Sequence, residues 1–187
     1  MYRIKWYTQE EQNMDWTTSI LVRDNIKLRL LVPDDAGRIF EILEKDPAIR
    51  EKFVTWTAGL TTEDAVRSAI EKFQQNSSLR FGIIDGDRLI GYVGTWSNTP
   101  DGKEYDAGYF IDRDKRGKGI VTSAMKALIE VASKNLPIEL FAMYIWDENE
   151  PSKAVAQKLG FTRTDVIEPE PALGGVPERR WELSVKK

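Results

Sequence analysis

The stretch Asp112-Arg113-Asp114-Lys115-Arg116-Gly117-Lys118-Gly119-Ile120-Val121-Thr122-Ser123 decides how the rest of the chain is read. Upstream of it, Tyr105 to Ile111 reads as a strand. Downstream, Ile120, Val121, Ala124, Met125, Leu128, Ile129 and Ala132 recur at the spacing of a long amphipathic helix. Between the two, Gly117 and Gly119 permit tight backbone turns free of a Cβ penalty. The first amides of a helix have no intrahelical partner, and the helix dipole is positive there. Strand, glycine loop and helix start therefore form an anion site suited to a pyrophosphate. Arg113, Lys115, Arg116 and Lys118 add local positive charge. From spacing alone, a glycine turn with solvated charges feeding a helix is an equal reading. Two familiar phosphate motifs do not fit. The Walker spacing is absent, and the dinucleotide fingerprint begun at Gly117 and Gly119 meets Thr122 at its third glycine. A nucleotide carrier of another type is left.

Outward from this segment, the chain alternates strand and helix patterns. Ile20 and Val22, then Ile26, Leu28, Leu30 and Val32, have the period of a half-buried strand pair. Pro33-Asp34-Asp35 starts a helix carrying Ala36, Ile39, Phe40, Ile42 and Leu43, which ends before Pro47. A second helix begins near Thr61 or Thr62, with Asp64 placed for a capping box, and buries Ala65, Val66, Ala69, Ile70 and Phe73. Leu79–Ile84 and Leu89–Gly94 flank Asp85-Gly86-Asp87, a hairpin signal. Ser97 to Glu104 reads as a loop. After the central helix come a strand over Pro137–Ile145, a helix over Pro151–Leu159 and a final strand pair ending near Val185. The order β-α-α-β-β-β-α-β-α-β-β predicts a single α/β (α+β) domain over residues 17–187. Its mostly antiparallel sheet would have about seven strands, with about four helices. Residues 1–16 read as an N-terminal extension or an appended remnant.

Composition narrows the chemistry. The 187 residues include 27 basic and 30 acidic side chains, for a net charge of −3, and no cysteine or histidine. Disulfides, thiolate nucleophiles, zinc-thiolate sites, Ser-His-Asp triads and imidazole bases are thereby excluded. No metal site is expected. The mildly acidic balance argues against a nucleic-acid partner. The first residues lack the apolar run of a signal peptide, and no stretch reaches the ~18 apolar residues of a membrane span. A cytoplasmic location is the default expectation.

At this point a resemblance is visible. Arg116-Gly117-Lys118-Gly119-Ile120-Val121 resembles the acetyl-coenzyme A pyrophosphate loop of the GNAT N-acetyltransferases, R/Q-x-x-G-x-G/A, with Val121 where Gly or Ala is usual. Asn149-Glu150-Pro151-Ser152 followed by Lys158-Leu159-Gly160-Phe161 is similar to the N-x-x-S…K-x-G-F element of the RimJ/RimL-like branch. Leu28-Arg29-Leu30-Leu31 with Asp35-Ala36 and Ile39-Phe40, and Gly108-Tyr109-Phe110-Ile111, resemble that branch too. The likeness covers roughly residues 20 to 185.

The resemblance implies a GNAT-like sheet splayed at the cofactor site and a donor, acetyl-CoA. Amides of Lys118, Gly119, Val121 and Thr122, after Gly117, would grip the pyrophosphate with Arg113 and Arg116 nearby. The strand through Phe110 and Ile111 would pair with the pantetheine amides. Asn149 would bond the pantetheine arm, and Ser152 would protonate the leaving thiolate. The alternative is that Asn149 is only a helix cap and Ser152 a polar first-turn residue. An amine nucleophile must lose a proton, and without histidine or cysteine a carboxylate or water is the remaining common base. Glu170 lies closest to the family's glutamate, although Pro171 falls there by simple counting, and Glu168 is a second choice. Trp56 lies where related enzymes line the acceptor cleft, and Trp96, Tyr92 and Trp146 lie on or just after strands that could reach the same cleft, though core packing is the commoner role for such aromatics. Acids such as Glu104, Asp106, Glu168 and Glu170 would suit a cationic amine. The implied activity is direct acetyl transfer in a ternary complex to a primary amine: a protein N-terminus, an amino acid, an aminoacyl-nucleotide or an antibiotic. The alternative is a non-catalytic acyl-CoA-binding or regulatory module. Either a monomer or a homodimer is compatible with the sequence.

Overall fold

A computed structural model describes residues 16, 18–52, 57, 59–74, 78–170 and 176–185. In chain order the elements are β1 (Ile20–Arg23), β2 (Ile26–Leu30), α1 (Ala36–Lys45), α2 (Pro47–Lys52), α3 (Glu63–Gln74), β3 (Leu79–Asp85), β4 (Arg88–Ser97) and β5 (Glu104–Ile111). They continue with α4 (Ile120–Asn135), β6 (Leu140–Trp146), α5 (Glu150–Leu159), β7 (Thr162–Glu170) and β8 (Val176–Ser184). The eight strands form one sheet in the order β1-β2-β3-β4-β5-β6-β8-β7. Every pair is antiparallel except β5 with β6.

The mixed α/β domain with a mostly antiparallel sheet matches the expectation; the element count is corrected at two points. The first strand pair is a hairpin, as its period predicts, turned at Asp24 (φ 45°); entering the pair once in the element order gives seven strands instead of eight. Pro47 does not merely end α1. Proline's fixed φ and missing N–H are tolerated at a first helical position, and here it opens α2. The start of α3 is capped by Thr62, whose Oγ1 accepts from the Ala65 amide at 3.1 Å. That register puts Asp64 one residue short of the capping-box position.

Apolar residues pack in one layer on each face of the sheet. On one side α4 contributes Ile120, Val121, Ala124, Met125 and Leu128 against Ile83, Val93, Phe141, Met143 and Ile145. Trp16 packs on this layer, with its ring 6.3 Å from that of Phe81. On the other side α1 and α3 contribute Ile39, Ile42, Leu43, Val66 and Ile70 against Ile84, Leu89, Tyr92 and Phe110. A fully buried Leu or Ile stabilises by about 1.5–3 kcal/mol, so these layers hold the strands in place.

The feature that positions the site is the short β5–β6 ladder. Only Glu104↔Leu140, Tyr105↔Phe141 and Asp106↔Ala142 pair, in parallel. Beyond Asp106 the two strands have no common register, and the sheet opens between Ala107–Ile111 and Met143–Trp146. Among the described residues, no helix is long and apolar enough to cross a membrane.

Candidate active site

A cavity of about 500 Å³ fills this opening. Its walls are β5 from Ala107 to Ile111 and β6 from Met143 to Ile145, closed by the starts of α4 and α5 and by Ala48 and Ile49. It brings together Phe110, Ile111, Arg116, Gly117, Lys118, Gly119, Val121, Thr122, Asn149 and Ser152.

At one end lies the glycine loop. Gly117 and Gly119 have φ of +74° and +70°, a region that costs an L-residue about 1–2 kcal/mol. A Cβ on Gly117 would meet nothing within 4 Å, so conformation rather than space calls for glycine there. The first intrahelical bond of α4 is Ser123 N–H to Gly119 O, 3.1 Å. Among the described residues, the amides from Gly117 to Thr122 have no hydrogen-bond partner. They cluster where the dipole of the 16-residue α4 is positive. Arg23 Nη2 donates to Lys118 O at 2.6 Å and ties the loop to β1. Val121, the departure from the family pattern, is only 8% exposed and packs into the core beneath the loop. Its extra bulk therefore joins the core while its amide remains at the cavity.

The loop's entrance is fixed by Asp112. Arg38 Nη2 donates to it at 2.6 Å, Lys45 Nζ at 3.3 Å and the Asp114 amide at 3.2 Å. Burial pushes the Asp112 carboxyl up, but these three donors outweigh it and hold the carboxyl below the usual aspartate range.

The loop's cations are less available than the sequence implied. Lys115 pairs with Asp85 at 2.9 Å, Arg116 pairs with Asp46, and Lys118 Nζ donates to Asp114 O at 3.2 Å. Arg113 is exposed and does not line the cavity. The candidate anion site thus consists chiefly of backbone amides, with the side chains bracing the loop.

The other wall carries the α5 start. Asn149 Oδ1 accepts from the Ser152 amide at 3.3 Å, so Asn149 caps α5, as one of the two sequence readings held. Its Nδ2 has no partner among the described residues and remains a donor at the cavity. Tyr109, on β5, donates from its phenol to Ser152 Oγ at 3.0 Å across the gap. Burial pushes the Tyr109 phenol up to about 12, against the opposing effect of Ser152. It therefore stays protonated at neutral pH.

On the opposite face of the sheet, Trp96 and Asp106 are cross-strand partners. Asn98 Nδ2 donates to Asp106 Oδ1 at 2.7 Å and to Glu104 Oε1 at 2.9 Å. Arg180 binds Glu104 at 2.8 Å, Glu182 at 2.7 Å and the Tyr144 phenol oxygen at 3.1 Å. Asp106 is pushed up to about 6, first by burial and then by the charges of Glu104 and Glu168; Asn98 and Arg180 oppose the rise. Burial and the Asp106 charge push Tyr144 up to about 12, and Tyr144 also lines the cavity. Trp96 lies outside the cavity, with the Arg80 guanidinium 4.0 Å from its ring centre.

Trp56 lies outside the described residues. Glu170 ends β7 opposite Val176, and its side chain is outside the described ones. Glu168 is exposed. Sequence reasoning missed Tyr109 and Tyr144 as site residues. The available signal was alternation: along β5, Tyr109 must face away from Phe110, toward the α4 side where α5 also packs.

Comparison with known proteins agrees with this geometry. The ribosomal-protein-serine acetyltransferase of Escherichia coli is 23% identical over 149 residues, covering 78% of this chain and 83% of that protein. Among solved structures, RimL, a ribosomal L7/L12 alpha-N-protein acetyltransferase in complex with coenzyme A, superposes with a TM-score of 0.80 at 18% identity, covering 90% of this chain and 98% of that one. The microcin C7 self-immunity acetyltransferase MccE, in complex with acetyl-CoA and AMP, superposes with a TM-score of 0.75 at 24% identity, covering 88% and 94%. The Acetyltransferase (GNAT) domain family matches residues 25–162, which span β2 through α5 and so include the splayed strands, the glycine loop and the Ser152 wall. With the family's sequence pattern and the fold in agreement over most of its length, the chain belongs to the GNAT acetyltransferase domain family.

Proposed function

We propose that the protein transfers an acetyl group from acetyl-CoA to a primary amine, directly and within a ternary complex. The observation that carries this is the cavity itself. It runs from unpartnered amides at the α4 start, between two strands that have let go of each other, to the hydrogen-bonded Tyr109–Ser152 pair. A pyrophosphate fits the first end by charge and hydrogen bonding. An extended arm bearing amides fits the open β5 edge, which offers backbone donors and acceptors of the kind an added strand would use.

In this arrangement Gly117–Thr122 hold the pyrophosphate, the backbone at Phe110 and Ile111 pairs with the pantetheine, and Asn149 Nδ2 donates to it. The thioester then lies near Ser152. The amine attacks the carbonyl carbon, the C–S bond breaks, and Ser152 Oγ–H protonates the departing thiolate. Tyr109 fixes the Ser152 oxygen from the other side. The chain lacks the cysteine and histidine that most commonly supply or activate an acyl-enzyme nucleophile, which favours attack by the acceptor itself. The likeness to RimL, described as an alpha-N-protein acetyltransferase, makes the α-amine of a protein N-terminus the first acceptor class to test.

The test is transfer of labelled acetyl from acetyl-CoA to peptide α-amines, free amino acids and aminoacyl-nucleotides, with release of CoA thiol measured in parallel. Intersecting double-reciprocal lines support the ternary complex, and parallel lines contradict it. Acetyl-CoA binding without transfer to any acceptor supports instead a non-catalytic acyl-CoA-binding module.

A further inference from the structure

Asp106 occupies a particular point of the fold: it is the last residue of β5 to pair with β6 before the sheet opens. Ala107 next to it lines the cavity on one face of the sheet, while strand alternation turns the Asp106 carboxyl to the other face. The carboxyl thus sits at the apex of the split, where the acetyl end of a donor threaded between the strands would emerge. We propose that Asp106 accepts the proton of the incoming ammonium and that Asn98 positions it. The inference rests on the acetyltransferase reading above and names its base.

The local chemistry suits the task. Asn98 fixes Oδ1 at 2.7 Å, while Oδ2 has no hydrogen-bond partner among the described residues. The titratable groups around it come from five strands: Arg80 on β3, over the ring of Asp106's cross-strand partner Trp96, Glu104 on β5, the neutral Tyr144 phenol on β6, Glu168 on β7, and Arg180 and Glu182 on β8. Among the described residues, Glu104, Glu168 and Glu182 outnumber the two cations on this face, Arg180 and the Arg80 that lies over the Trp96 ring, which favours an approaching ammonium. Burial and the neighbouring acids raise the carboxyl to about 6, close enough to neutrality for efficient proton transfer while leaving it mostly ionised. Glu168 is exposed on a bulged edge strand and contributes charge rather than a held carboxylate.

The protons balance as follows. One ammonium proton moves to Asp106 Oδ2 and then to solvent, freeing the nitrogen lone pair to form the N–C bond. A second leaves the tetrahedral adduct and replaces, through solvent, the proton that Ser152 gives to the thiolate. The third stays on the amide.

The experiment is a pH series of kcat/KM for the acceptor, run on the wild type, Asp106→Asn, Asp106→Glu and Asn98→Ala. It is paired with 13C NMR of aspartate-labelled protein, in which the resonance lost in Asp106→Asn is followed through pH. The wild type is expected to show an acid limb near pH 6. Asp106→Asn should lose about 10²- to 10⁴-fold at pH 7 and keep gaining activity up to the amine's own pKa. Asp106→Glu should recover part of the loss. Asn98→Ala should move the limb to higher pH with an unchanged KM for acetyl-CoA. Asp106→Asn within threefold of the wild type, with the same profile, overturns the assignment; so does a profile lost in Glu170→Gln but kept in Asp106→Asn. If the wild type acetylates no amine, the transferase reading fails. Where transfer occurs, the NMR titration judges Asp106 separately: a resonance titrating below pH 5 overturns the inference, and one near pH 6 that tracks the acid limb supports it.

Discussion

The phenol of Tyr109 donates a hydrogen bond to Ser152 Oγ, 3.0 Å away, across the gap between β5 and the start of α5. The two residues are 43 positions apart, and both line the cavity. A hydroxyl that accepts from tyrosine must point its own proton elsewhere, and the cavity is the open direction. Ser152→Ala is expected to lower kcat by about 10–100-fold at most modest cost to the KM for acetyl-CoA. Tyr109→Phe, which frees the serine to rotate, should lower kcat by a smaller factor. Steady-state rates with the acceptor saturating separate the two effects.

Gly119 tests whether backbone amides grip the donor. At φ +70°, an alanine is strained by about 1–2 kcal/mol, although its Cβ would come no closer than 3.8 Å to Arg23 Nη1. Relief of that strain tilts the amides at the start of α4. Gly119→Ala should therefore raise the Kd for acetyl-CoA roughly tenfold in calorimetry, while Arg113→Ala, on an exposed residue outside the cavity, changes it little.

A different glycine guards the strand spacing. A Cβ on Gly91 would stand 2.6 Å from the Phe110 carbonyl oxygen and 3.0 Å from Ile111 Cα, both backbone atoms that cannot swing aside. Gly91→Ala should destabilise the fold by about 1–3 kcal/mol in urea unfolding. It should also weaken acetyl-CoA binding, because the displaced strand is a wall of the cavity.

Asp106 makes a stability prediction that needs no acceptor. Its carboxyl is raised from the ordinary 3.8 to about 6, so between those pH values the folded chain holds a proton that the unfolded chain releases. Stability contributed at this position is present below about pH 4 and is lost as pH rises through about 6. Asp106→Asn should accordingly stabilise the fold by about 1–3 kcal/mol at pH 8 and change it little at pH 4. Chemical denaturation at the two pH values checks the sign.

Much of this architecture was legible because the apolar periods are clean. The α4 stripe, the Asp85-Gly86-Asp87 hairpin and the glycine loop each announce a local geometry that packing then respects. What escaped was cross-strand. Nothing local to Asp106 reveals that its pairing with Ala142 is the last before β5 and β6 separate, nor that Glu104, Glu168 and Arg180 gather around it. The same holds for Arg116, which reads as a free phosphate ligand until Asp46, 70 residues earlier, is placed beside it. Charge in a loop can be counted from sequence, but its partners are set by topology.

The most direct test of the central claim is mass spectrometry of a peptide with a free α-amine after incubation with the protein and acetyl-CoA. The account predicts one added acetyl group on that amine, with one CoA thiol released per product and strong loss in Ser152→Ala. Acetyl-CoA bound in the cavity with no acetyl delivered to any amine offered, or delivery that persists undiminished in Ser152→Ala, would contradict it.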